Sequence, residues 1–112
     1  MNSPIIRTPL LAATLTPPKS ASRIEVQRID FGPGQKSTLH LHPCPVVGYV
    51  VKGSVHFQIE GQEAQTLEAG DAFFEPAQVR VSHFDNASPS EGMSFVACYW
   101  MGDATEEKVK IL

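Results

Sequence analysis

Two of the four histidines, His40 and His42, stand one residue apart in the stretch Thr38-Leu39-His40-Leu41-His42. A neutral imidazole offers a nitrogen lone pair that can hold a metal ion, or serve as a polar anchor for a bound molecule. In an extended strand, residues two apart point the same way, so His40 and His42 share one face and Leu39 and Leu41 the other. Two orientations follow. In an ordinary half-buried strand the leucines face the core and the imidazoles face water. For the imidazoles to face inward, a second sheet, a chain terminus or a partner subunit must cover the leucines. Cys44 follows in the turn Pro43-Cys44-Pro45, either as a further donor or as a small buried thiol. His56 alternates with Val55 and Phe57 and is expected to face away from the interior.

No other catalytic constellation is visible: the chain has no nucleophile elbow, no phosphate loop and no paired-histidine helix. Cys44 and Cys98 lie 54 positions apart and make no metal-knuckle or redox spacing, so they read as free thiols of a reducing cytosol. The 112 residues suffice for one domain, and nine basic against twelve acidic side chains leave a net charge of −3. That balance lacks the basic stripe a nucleic-acid partner requires. No stretch approaches the roughly 18–20 apolar residues of a membrane span. The start, MNSPIIRTPLLAATL, is apolar but interrupted by Arg7, Thr8 and Pro9, unlike the unbroken apolar run of a secretory leader. A cytoplasmic location is the expectation. Without export, the acceptor pattern Asn86-Ala87-Ser88 carries no weight.

The elements that must position these side chains are strands. Nine prolines and eight glycines fall at short intervals and leave little room for helices. Between them, segments rich in β-branched and aromatic residues run over Ile24–Phe31, Thr38–His42, Val46–Val51, Val55–Ile59, Ala72–Phe74, Val79–Phe84 and Ser94–Met101. Short strands at such spacing predict an all-β sandwich or barrel. Glu60-Gly61-Gln62 reads as a hairpin turn and Glu68-Ala69-Gly70-Asp71 as another. The ending ATEEKVKIL fits a helical turn or an extended tail equally well. Residues 1–20 have no acidic side chain and end in Pro17-Pro18, which reads as an extended N-terminal arm, with residues 21–112 forming one barrel domain. An arm bearing Ile5, Ile6, Leu10, Leu11 and Leu15 is expected to lie along a sheet edge of its own subunit or of a neighbour, and a homodimer is expected.

The wider pattern resembles the cupin superfamily. Gly34, five residues, His40-x-His42 and a later Gly53 follow the family's first motif, and Gly70, five residues and Pro76, with Asn86 near the end, follow its second. The resemblance covers roughly residues 34–86 and implies a double-stranded β-helix, or jelly-roll barrel, with the motif histidines lining an interior cavity. In that family two histidines and a glutamate of the first motif and a histidine of the second commonly hold a divalent metal. Only His40 and His42 carry over. Val46 stands where the glutamate belongs, Val81 where the third histidine belongs, and Gln78 where the second motif has glycine. His83, two residues beyond Val81, is the candidate replacement on the same strand face.

The resemblance therefore implies a metal centre of His40, His42 and His83 holding iron, manganese, nickel, zinc or copper in an altered coordination. Three neutral imidazoles would leave the ion its full charge and favour an anionic chelating ligand, and Glu75 could act as acid or base at the cavity mouth or be an ordinary solvated carboxylate. Cys44, Tyr49, Phe74 and Trp100 are candidates for lining a small-molecule pocket. The functional expectation is a cupin with a small-molecule cavity and a metal site, enzymatic in a dioxygenase-like or isomerase-like sense. The alternatives are a metal-free binding or sensing module and a non-catalytic dimerising scaffold.

Overall fold

A computed structural model describes residues 3–102 and 106–112. Its elements are strands: β1 (Arg23–Phe31), β2 (His40–Leu41), β3 (Val46–Lys52), β4 (Ser54–Ile59), β5 (Gln65–Glu68), β6 (Ala72–Glu75), β7 (Arg80–Asn86), β8 (Met93–Met101) and β9 (Lys110–Ile111). They form two antiparallel sheets, one ordered β1-β8-β3-β6 and the other β5-β4-β7-β2-β9. The two sheets enclose one core, which is the double-stranded β-helix expected of the motifs. Among the described residues, no helix is long and apolar enough to cross a membrane.

Alternation decides what each strand sends inward. On β8, Met93, Phe95, Ala97, Tyr99 and Met101 are buried, and on β3, Val46, Gly48 and Val50. One part of the interior is filled by the rings of Phe31, Phe57, Phe73, Phe84 and Phe95, with neighbouring centroids 4.6–6.5 Å apart in edge-on or tilted pairs. Such pairing suits the ring quadrupoles and adds to burial worth about 1.5–3 kcal/mol for each large apolar side chain. Gly48 is required by this packing: a Cβ there would lie 2.1 Å from Cζ of Phe73, whose ring occupies that space. The packing also brings β6, with Glu75 at its end, tight against β3.

Two short strands went unread in the sequence, for a common reason. Along β5, Gln65-Thr66-Leu67-Glu68 buries only Leu67, and β9 is exposed at both residues. Each is an edge strand with too little apolar alternation to stand out. From residue 106 onward the C-terminal tail contains β9 and no helix, with Leu112 N–H donating to the Leu39 carbonyl at 3.0 Å, while the first two residues of ATEEKVKIL lie outside the described residues. Residues 3–20 contain no strand; Leu10 and Leu11 lie in a groove with Tyr49 and Val96 on the outer face of the four-stranded sheet, and Lys19 pairs with Glu106 at 2.9 Å.

The second-motif turn keeps its shape despite losing glycine. Gln78 adopts φ 64°, a conformation normally left to glycine, and its N–H donates to the His42 carbonyl at 2.8 Å. The turn therefore still ties β7 to the strand that carries the histidines.

Candidate metal centre

Both imidazoles of the His-x-His pair face inward, His40 and His42 each 7% exposed. Register explains this: His40 lies opposite Val81 of β7, which is buried, and directly opposed residues share a face. The rings are held by the backbone. Nδ1 of His40 lies 2.6 Å from the Thr38 carbonyl and Nδ1 of His42 lies 2.7 Å from the Lys108 carbonyl. A carbonyl only accepts, so each Nδ1 carries a hydrogen and, in the neutral ring, each Nε2 keeps a free lone pair.

Those lone pairs converge on Glu75. Its Oε2 lies 2.8 Å from Nε2 of His42 and 3.9 Å from Nε2 of His40, and donor atoms of the three residues all lie within 4.8 Å of one another. The carboxylate is buried, not solvated at a strand end as one reading of the sequence had it. Whether Oε2 has a partner depends on what lies between these atoms. With His42 neutral, Nε2 has no hydrogen to give and Oε2 is a buried acceptor without a donor; with a proton on Nε2, the 2.8 Å contact becomes an ion pair. Burial works against the charged imidazolium, yet Glu75, through its hydrogen bond and its charge, together with the Lys108 carbonyl, raises the His42 pKa above its ordinary value.

The site thus calls for a cation, either a proton or a metal ion. Ligands about 2.1 Å from a transition ion sit about 3.0–3.4 Å from one another, and the separations of 2.8 and 3.9 Å bracket that range. The residues fit a divalent ion through two imidazoles and one carboxylate.

Glu75 places a carboxylate beside the position where the first motif lacks one, and it does so from the neighbouring strand of the sheet. In the ladder between β3 and β6, Glu75 is the direct partner of Val46, the position where the motif's glutamate would stand. Tyr99 of β8 opposes Val46 on its other side, so Tyr99, Val46 and Glu75 form one row across the four-stranded sheet, lining the same cavity as His40 and His42. Alternation through Phe73 and Glu75 was the available signal. It was masked because Phe73 and Phe74 are both aromatic and either could have been read as inward.

The cavity has a volume of about 370 Å³. The histidines, Glu75, Val46 and Tyr99 share it with Phe84 and Phe95, while the exposed Lys36 and Ile111 stand at its opening. Burial first, and then the charge of Glu75, push the Tyr99 hydroxyl up to about 12, so it keeps its proton. Ser37 Oγ, on the same lining, is buried without a hydrogen-bond partner.

The other candidates lie elsewhere. His83 is apart from His40 and His42: its ring is half exposed, stacks on His56 with centroids 4.7 Å apart, and meets Asp85. A bulge in the β4–β7 ladder at Ser82 sets its position: Gln58 opposes His83 but Ile59 opposes Val81. Counting two residues on from Val81 therefore does not preserve the face. Tyr49, Phe74 and Trp100 point outward, each one residue out of step with the inward Gly48, Phe73 and Tyr99. Cys44 is fully buried in the core but does not line the cavity, and burial raises its thiol pKa; both cysteines are free.

Comparison with known proteins agrees with this fold. The chain is similar to a cupin-like protein from Thermotoga maritima, at 25% identity and TM-score 0.66 over 80% of this chain and 64% of that one. It is similar to an RmlC-like cupin from Shewanella frigidimarina, at 29% identity and TM-score 0.58 over 68% of this chain and 64% of that one. An oxalate oxidase in complex with the substrate analogue glycolate shares the fold at 21% identity and TM-score 0.67, over 80% of this chain and 46% of that one. The chain thus spans less than two thirds of the length of each of these structures. A search of curated proteins finds no match. The family model described as a cupin domain matches residues 27–99, a span containing both histidines, the displaced glutamate and the tyrosine that faces them, and on that match the chain belongs to the cupin family.

Proposed function

We propose that the protein is a divalent-metal-dependent enzyme acting on a small anionic organic molecule, with His40, His42 and Glu75 as the metal ligands. The observation that carries this is the convergence of two Nε2 lone pairs and one otherwise unpartnered carboxylate oxygen at a buried point on the cavity wall. A proton alone would leave a buried ion pair, whose desolvation offsets much of its attraction.

Two imidazoles and one carboxylate are the donor set that suits iron in oxygen-using enzymes and also accepts manganese, nickel or zinc. When bound, such an ion supplies Lewis acidity and open positions for a chelating substrate. The chain supplies the rest. The Thr38 and Lys108 carbonyls hold the rings in the ligating orientation. Phe84, Phe95 and Val46 exclude water from an apolar wall. The Tyr99 hydroxyl, which keeps its proton, and the unpartnered Ser37 Oγ offer hydrogen bonds, and Lys36 at the opening draws a negative substrate toward it. A cavity of about 370 Å³ suits a small hydroxy or keto acid. The fold of the glycolate-bound oxalate oxidase is consistent with that size class.

The test is metal analysis of untagged protein, followed by calorimetric titration of chelator-stripped wild type, His42→Ala and Glu75→Gln with Fe²⁺, Mn²⁺ and Zn²⁺. Glycolate is then titrated into the loaded protein. Wild-type uptake at the interior, lost in both variants, supports the reading. Uptake there that is unchanged in both variants overturns it, and glycolate-class binding without any interior ion points to the metal-free binding module.

The homodimer belongs to the same proposal. Ile24, Val26, Tyr49, Val51 and Trp100 are exposed on strands of the four-stranded sheet, beside an arm that exposes Ile5 and Ile6. A second copy would cover them. Sedimentation of the full chain should give a dimer, and a monomer at micromolar concentration would refute it.

A further inference from the structure

We propose that His56, His83 and Asp85 form a second divalent-cation site, of the zinc or nickel class, on the outer face of the five-stranded sheet. It is separate from the interior centre and stands or falls without it.

The register builds the site. His56 of β4 is the direct cross-strand partner of Asp85 of β7, and Phe57 is the partner of Phe84. Phe57 and Phe84 are core residues, so His56 and Asp85 must point the opposite way, and His83, two residues before Asp85, joins them. One ligand atom from each of the three residues lies within 4.8 Å of the others. Both imidazoles turn Nδ1 toward the same oxygen: Oδ2 of Asp85 is 3.0 Å from Nδ1 of His83 and 3.7 Å from Nδ1 of His56.

The carboxylate is the unusual member. Asp85 is only 4% exposed, although it belongs to the outward-facing set of its strand. Its Oδ1 accepts the Ser37 N–H at 3.0 Å, which fixes the carboxylate plane and leaves Oδ2 for the imidazoles. A buried carboxylate needs compensating positive charge, which a cation held between Asp85 Oδ2 and the two histidines would supply. Their rings stack 4.7 Å apart at 26°, with side chains 41% and 44% exposed. A cation can therefore reach the site from solvent and meet two nitrogens and one oxygen, with water completing its shell.

The experiment is equilibrium dialysis of chelator-stripped full-length protein against Zn²⁺, with bound metal counted per chain. It compares wild type, the double variant His56→Ala/His83→Ala, Asp85→Asn and His42→Ala, with folding of each checked by circular dichroism. The proposal expects an ion that His42→Ala retains and the double variant loses, with affinity in Asp85→Asn weakened at least ~10-fold. Asp85→Asn keeps an oxygen for Ser37, and the two histidines are half exposed, so a folded protein is available to read. A single wild-type ion that His42→Ala abolishes sinks the outer site and leaves the interior reading intact. A second ion that persists unchanged in the double variant also overturns the proposal. A wild type whose single ion depends only on His56 and His83 upholds it and removes the interior centre instead.

Discussion

The interior and the outer face each gather two imidazoles around one carboxylate, but they use the ring nitrogens in opposite senses. Inside, Nδ1 of His40 and of His42 is committed to a backbone carbonyl and Nε2 meets Glu75. Outside, Nδ1 of His56 and of His83 meets Asp85 directly. The interior histidines are nearly buried and the outer ones are half exposed. Backbone-anchored rings in a buried site are preorganised for an ion. Stacked rings half exposed at the surface would give a weaker, more exchangeable site. The same residue types thus make different sites according to what holds the second nitrogen.

Breaking the interior triad should have the largest effect. Glu75→Gln removes a ligand charge, and interior metal affinity should fall on the order of 100-fold or more, beyond the ~10–100-fold typical of outer-shell changes; calorimetry reads it. The relocated carboxylate gives a sharper test. In a Glu75→Val background, Val46→Glu moves the acid across one rung of the ladder, and it should recover at least ~10-fold of the lost affinity because opposed side chains lie only about 5 Å apart. No recovery would mean that the rung-to-rung exchange is not what replaced the motif glutamate.

The third prediction concerns pH. In the metal-free protein the raised His42 pKa means that its pairing with Glu75 contributes stability fully below about pH 6.5 and loses it as pH rises through the folded-state value. Metal and proton compete for the same Nε2, so ion affinity should climb over that same range. Thermal unfolding with and without metal between pH 5 and 8 should show the two trends diverging, and parallel trends would count against a shared nitrogen. The smallest effect is expected at the turn. Gln78→Gly should stabilise the fold by about 1 kcal/mol in urea unfolding, since the side chain pays for a left-handed φ that glycine adopts freely.

How much of this was legible in the sequence varies by element. β1, β3, β4 and β8 emerged within a residue or so of their true limits because each carries a run of β-branched or aromatic side chains. β5 and β9 did not, having almost nothing to bury. His40 and His42 were found by their spacing. Glu75 was read as a ligand in neither motif, since its role comes from lying opposite Val46 in another strand. His83 was misplaced by one bulge, and Tyr49, Phe74 and Trp100 by single steps of alternation. A slip of one residue sends a side chain to the other face of a sheet, so parity errors are complete, not partial.

By itself, then, the amino-acid sequence determined the all-β class, the cupin motifs and the pairing of two imidazoles on one strand face. Those follow from short-range periodicity and spacing, which a single strand expresses alone. Only the tertiary structure decided which face is inward, which carboxylate meets the paired imidazoles and where the remaining histidines gather. Each of these depends on the register between strands far apart in the chain, and no local pattern encodes that register.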